Sequence, residues 1–101
     1  MAQFDVFRAR GTGPYSFVVD IQHDVHARFG TRLVVPMVSR SRYTQPATRL
    51  HPQIALHGEE YVVLFSLAAA VPKAALGECL GSLAAHRATF IDALDWLLTG
   101  S

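Results

Sequence analysis

Apolar residues recur at every second position through most of the chain and take a helical period only near its end. In residues 3–8, Phe4 and Val6 fall on one side and Asp5 and Phe7 on the other, the alternation of a strand. The turn-forming run Gly11-Thr12-Gly13-Pro14 follows. Residues 15–21 are then rich in β-branched and aromatic side chains, so the first two segments predict a hairpin. Gly30 breaks the next loop, and residues 32–37 predict a third strand. Pro36 in it marks an edge or a bulge, because proline brings no N–H to a ladder. Residues 39–48 are polar, contain Pro46 and predict a loop. Strands at 53–56 and 60–65 are joined through His57-Gly58-Glu59, a tight hairpin. Residues 70–74 predict a short strand, although the pattern alone also allows a helical 67–70, and Gly77 and Gly81 read as punctuation of a connection.

From residue 83 to 98 the pattern predicts a helix. At 100° per residue, Phe90, Ile91, Leu97 and Leu98 lie within about 60° of Leu94, an apolar stripe. Trp96 falls about 200° away, beside Thr89, Asp92 and Thr99. Two readings stand for it. Large aromatics anchor binding surfaces, and they also pack under neighbouring loops or a second copy. Six or so short antiparallel strands closed by one helix predict a small α+β, barrel-like domain.

The length of 101 residues fits a single domain, residues 1–101, whose core is small for its surface. Half of the residues are hydrophobic, a surplus that a homodimer would cover. Cys79 is the sole cysteine, which excludes an intrachain disulfide and reads as a small buried hydrophobe. Asp5, Arg8 and Arg10 interrupt the N-terminus, so it is no signal peptide. The apolar stretch 61–71 is shorter than the roughly 20 residues of a membrane span. The expectation is a cytoplasmic protein without a membrane partner.

The net charge of +1 hides an asymmetry. No acid lies between Asp24 and Glu59, while Arg28, Arg32, Arg40, Arg42 and Arg49 do. A basic middle suits a nucleic acid or an acidic peptide, but the ordinary reading is a set of solvated arginines. His23 and His26 flank Asp24 without a third ligand at metal spacing. His51, His57 and His86 are scattered, with no serine or cysteine in a nucleophile-elbow context. Gly11-Thr12-Gly13 lacks the lysine and helix start of a phosphate loop. Asp92 and Asp95 are helical neighbours that read as a solvated face. These patterns predict no enzyme, cofactor or metal site.

Several fragments taken in order carry a resemblance. They are Gln3-Phe4-Asp5-Val6, Val19-Asp20-Ile21-Gln22-His23-Asp24, Arg32-Leu33-Val34-Val35-Pro36, Leu50-His51-Pro52 and Tyr61-Val62-Val63-Leu64. Ala69-Ala70-Val71-Pro72, Leu76-Gly77 and Ala93-Leu94-Asp95-Trp96-Leu97-Leu98-Thr99-Gly100 complete the set. Over essentially the whole chain this resembles the CcdB family, toxins of type II toxin–antitoxin modules that poison DNA gyrase.

The resemblance implies a CcdB/MazF-like antiparallel sheet with a smaller accessory sheet and a C-terminal helix, paired as a symmetric homodimer. It implies two protein partners: the A subunit of DNA gyrase, and a CcdA-like antitoxin whose disordered C-terminal segment wraps the toxin. Nucleic acid would be met only through the antitoxin complex, in transcriptional repression. Together with the helix reading, it implies target contacts at Asp95, Trp96, Thr99, Gly100 and Ser101. One departure stands out. The best-studied plasmid-borne toxin ends in Trp-Gly-Ile, whereas this chain ends in Thr99-Gly100-Ser101 and carries its tryptophan three positions earlier. Two further readings therefore stay open: a ribonuclease toxin of the related barrel family, and a dimeric homologue that has lost toxicity or changed its target.

Overall fold

The computed structural model describes residues 2–11 and 13–100. Seven strands form one curled antiparallel sheet: β1 (Asp5–Ala9), β2 (Phe17–Asp20), β3 (Thr31–Ser39), β4 (Gln53–Leu56), β5 (Glu59–Val63), β6 (Ala69–Pro72) and β7 (Leu76–Ser82). Their order is β4-β5-β3-β2-β1-β7, with β6 also paired to β3. A single helix, α1 (Arg87–Thr99), follows a 3-10 turn at Ala84–His86. The first hairpin pairs Val6 with Val19 and Phe7 with Val18. Part of its connecting turn, Thr12, lies outside the described residues.

Alternation sorts the strands into two apolar faces. Val6, Val19, Val35 and Met37 point to the main core, which also holds Phe4, Ile21, Ile54, Val63, Phe65, Leu83, Phe90 and Ala93. Their sequence neighbours Phe7, Val18 and Val34 point the other way and meet Leu76 and Val71 in a smaller cluster. The helix covers the first face, where Phe90 stands edge-on to Phe4 with ring centroids 5.3 Å apart.

Pro36 is on neither an edge nor a bulge. It sits inside β3, opposite Val18 of β2. On its other side β3 changes partners, from β6 at Thr31–Val34 to β5 at Met37–Ser39. The missing N–H falls in that gap, while the Pro36 carbonyl accepts from Leu64 N. The hairpin β4–β5 thus joins the end of β3 as a smaller wing. His57 and Gly58 at its tip both have positive φ, 52° and 80°, the geometry of a two-residue type I′ turn.

β7 was expected as a connection. Gly77 and Gly81 belong to a strand that runs antiparallel to β1, with Asp5 opposite Ser82 and Ala9 opposite Leu76. Both glycines mark close approaches. A Cβ on Gly77 would stand 2.9 Å from the Arg8 carbonyl oxygen, and Gly81 has φ +151° with His57 Nε2 3.1 Å from where its Cβ would be. Cys79 lies on this outer strand and is exposed, not buried as expected, with Sγ 3.8 Å from the Gly81 carbonyl. Among the described residues no helix is long and apolar enough to cross a membrane.

Candidate binding surface at the helix end

The packed face of α1 is turned from the one the periodicity predicts. Phe90 and Ala93 are buried, and Ile91 and Leu94 are only partly so. The centre of burial lies about 70° from Leu94 on the helical wheel, where small Ala93 lets the helix approach the sheet. The last turn therefore runs off its support. Leu98 is 76% exposed and Leu97 38%, so two of the five residues of the predicted stripe are exposed within the described chain, and Trp96 outside the stripe is 43% exposed. Gly100 ends the helix at φ 74° and donates its N–H to the Trp96 carbonyl, a left-handed cap. Thr99 Oγ1 turns back to donate to the Asp95 carbonyl at 2.7 Å.

Asp95, Trp96 and Thr99 thus lie together at the end of α1, with Gly100 as its cap, while Ser101 lies outside the described residues. The sequence reading missed their companion from the loop. Arg49 forms a two-pronged ion pair with Asp92, Nε to Oδ2 at 2.7 Å and Nη2 to Oδ1 at 2.9 Å. Its guanidinium carbon lies 4.8 Å from the centroid of the Trp96 ring. Trp96 therefore does both things open to it: it packs against a loop residue and leaves much of its surface bare. Forty-three positions separate Arg49 from Asp92, a distance no local pattern bridges.

The loop that carries Arg49 is fixed by polar contacts. Thr48 N donates to the His51 carbonyl at 3.1 Å, and His51 N donates to Thr48 Oγ1 at 3.0 Å. The His51 ring bridges Tyr43 Oη, 3.1 Å from Nδ1, and Ser66 Oγ, 2.6 Å from Nε2. Partial burial lowers the His51 pKa from its ordinary value. Arg40 donates to the Tyr43 and Gln45 carbonyls. These contacts preorganise Arg49 over the tryptophan.

The arginines of the middle segment are not one solvated set. Arg32 is fully buried and paired with Asp20 at 2.8 Å, Arg49 is engaged as described, and Arg28 and Arg42 are exposed. The His23–Asp24–His26 run is a capped 3-10 turn: His23 Nδ1 accepts from Val25 N, Asp24 accepts from Gln3 N, and His26 stacks on Phe29. No group of three or more potential metal ligands occurs among the described residues.

A family model described as CcdB protein matches residues 3–100. Among solved structures, the chain is similar to one described as an endoribonuclease in complex with its cognate antitoxin from Mycobacterial species. The TM-score is 0.79 at 16% identity, over 97% of this chain and 94% of that one. That likeness is one of fold: a curled antiparallel sheet with a C-terminal helix.

Proposed function

The chain belongs to the CcdB family, and from that membership we propose that it is the toxin of a type II toxin–antitoxin module, acting by binding rather than by catalysis. Its target in this reading is the A subunit of DNA gyrase, engaged by a homodimer through the ends of its α1 helices. A dimer that binds the DNA-cleaved enzyme better than the resting one shifts the population toward trapped breaks, with no chemistry of its own. A cognate antitoxin with a segment that orders on binding would neutralise it. The antitoxin-bound state of the endoribonuclease of similar fold supports a partner of that kind.

The observation that carries this reading is the bare end of α1, with Trp96, Leu97 and Leu98 exposed on a rigid, capped helix. An aromatic held in place by Arg49 loses little entropy when a partner covers it. In the Trp96→Ala variant, binding to the gyrase A dimerisation region is expected to weaken by about 2–4 kcal/mol, roughly 30- to 1000-fold. Binding that persists unchanged, together with a lowered melting temperature, would place Trp96 in a purely structural role. If the unmodified chain does not bind gyrase, the Trp-Gly-Ile end restored by Thr99→Trp and Ser101→Ile should recover it. Failure there would point to a different target.

A further inference from the structure

Lysine occurs once in the sequence, at position 73, against eight arginines. Lys73 is half-buried in the 3-10 turn Lys73–Ala75 between β6 and β7. Its Nζ donates to the Ala27 carbonyl, and its backbone N–H donates to the Gly30 carbonyl at 3.0 Å. Both acceptors belong to the loop between β2 and β3. The near end of that loop is fixed by other means: Asp24 accepts from Gln3 N at 2.6 Å, and Gln22 Oε1 accepts from Leu33 N at 2.8 Å. From His26 to Gly30 the ties differ. Among the described residues, the hydrogen bonds of this stretch run within the loop, from His26 N to the His23 carbonyl, Ala27 N to the Asp24 carbonyl and Phe29 N to the His26 carbonyl, or else to Lys73. The far half of the loop is exposed throughout and carries Arg28 and Phe29, the latter 53% exposed. The ion pairs of the described residues are Asp20–Arg32 and Arg49–Asp92, so no carboxylate pairs with the Lys73 ammonium.

We propose that Lys73 is an acylation site for a phosphate-bearing acyl donor, and that its modification releases the far half of the β2–β3 loop. Guanidinium groups do not react with such donors at neutral pH, so the chain offers a single side-chain amine to them, at the residue that straps this loop. A neutral primary amine has two N–H groups and a lone pair. One N–H stays on the Ala27 carbonyl while the lone pair attacks the acyl carbon. The C–N bond forms, the bond from the acyl carbon to the phosphate oxygen or thioester sulfur breaks, and the proton lost by nitrogen passes to the leaving group or to water. Arg28 follows the accepting Ala27 directly, a cation that draws an anionic donor to the amine. The product is an uncharged amide with one N–H, so the charge-assisted tie to Ala27 is lost or reduced to an ordinary hydrogen bond. The backbone bond to Gly30 is then the remaining tie of the far half. None of these residues belongs to the Trp96 surface, so the outcome is separate from that of the gyrase reading.

The test treats the full chain with acetyl phosphate or with acetyl-CoA, in separate arms, and locates the acetyl group by peptide mass mapping. Lys73 should be modified in at least one arm, which also names the donor class, and Arg28→Ala should slow that reaction severalfold. Release of the loop is then read by limited trypsin digestion, because Arg28 is a cleavage point within it. Cleavage after Arg28 should be about tenfold faster in the acetylated chain than in the untreated one, the loss of one charge-assisted hydrogen bond in a segment whose cleavage follows its open population. Lys73→Gln should show the same increase, and Lys73→Arg, which keeps a cation, should not. The acetylated chain of unaltered sequence keeps the test independent of whether either variant folds. Cleavage after Arg10 and Arg49 should be unchanged, which separates local release from general loosening. Four outcomes overturn the proposal: acetylation that spares Lys73 in both arms, unchanged cleavage after Arg28 in the acetylated chain, equal acceleration at Arg10 and Arg49, or equal acceleration in Lys73→Arg.

Discussion

Single residues show where charge is structural and where it is available. Arg32 Nε and Nη2 donate to Asp20 Oδ2 and to the Gln22 carbonyl, both at 2.8 Å, and Asp20 Oδ1 accepts from Gln22 N at 3.0 Å. Arg32 Nη1 has no hydrogen-bond partner among the described residues. A buried pair of this kind contributes little net stability, yet removing one member strands the other without water. Asp20→Ala and Arg32→Ala are each expected to lower the unfolding free energy by about 3–5 kcal/mol. The paired change Asp20→Leu with Arg32→Met should cost less than either, as read from urea denaturation; simple additivity would show that the two are not coupled. His51 gives a pH dependence. Its folded pKa lies below the ordinary 6.5 because burial disfavours the charged ring. Above 6.5 both states are neutral, and as pH falls the unfolded chain takes up the proton more readily, so stability is lost. Melting temperatures should decline from pH 7.5 to 5, less steeply in His51→Gln. Neither role was legible in the sequence. Arg32 looks like its neighbours until register puts Asp20 opposite Val34, and His51 meets Tyr43 and Ser66 only once the loop is folded.

At the level of elements, legibility followed the source of each signal. The hairpins β1–β2 and β4–β5 were readable because alternation and turn residues are local, and His57-Gly58 supplies the left-handed pair that the tight turn requires. α1 was readable too, although its first predicted turn is 3-10 and its packed face is set by Ala93 rather than by the larger Leu94. β7 was not, because glycine in a strand signals a turn to any local reading. Here it signals proximity to β1. Gly77→Ala would push a methyl group to within 2.9 Å of the Arg8 carbonyl, a backbone atom that cannot rotate away. The expected cost is about 1–3 kcal/mol. Amide exchange in β1 and β7 should accelerate more than exchange in the β4–β5 wing. Uniform acceleration across the sheet would show that β7 does not yield on its own.

Among the described residues, exposed apolar side chains gather at the end of α1, at a groove on the sheet and at Val25 and Phe29 between β2 and β3; two of these places are broad enough to weigh as the seat of the proposed homodimer. The first is the end of α1, with Leu97 and Leu98 bare on its stripe. The second is a groove of about 410 Å³ on the opposite face of the sheet, lined by Val18, Val34, Pro36, Leu67 and Val71. Much of the hydrophobic surplus apparent in composition lies at these two sites, but composition carries no information on which one faces a second copy. The helix end is the more exposed, with Leu98 at 76%. A specific interface needs on the order of 1,000 Å² in total, which a two-fold arrangement reaches by using the same turn and its surroundings twice. Leu98→Glu changes a side chain that the single chain does not bury, so its melting temperature as a monomer should be little altered. Sedimentation equilibrium at tens of micromolar should then show dimer for the unmodified chain and monomer for Leu98→Glu. If Leu98→Glu remains a dimer and Leu67→Glu dissociates, the two copies meet across the sheet. Both helix ends would then be free for gyrase or the antitoxin, and Trp96→Ala would affect target binding without touching dimerisation. If Leu98→Glu dissociates, the dimer itself sets the two Trp96 turns side by side, and a target contact at this end becomes inseparable from pairing.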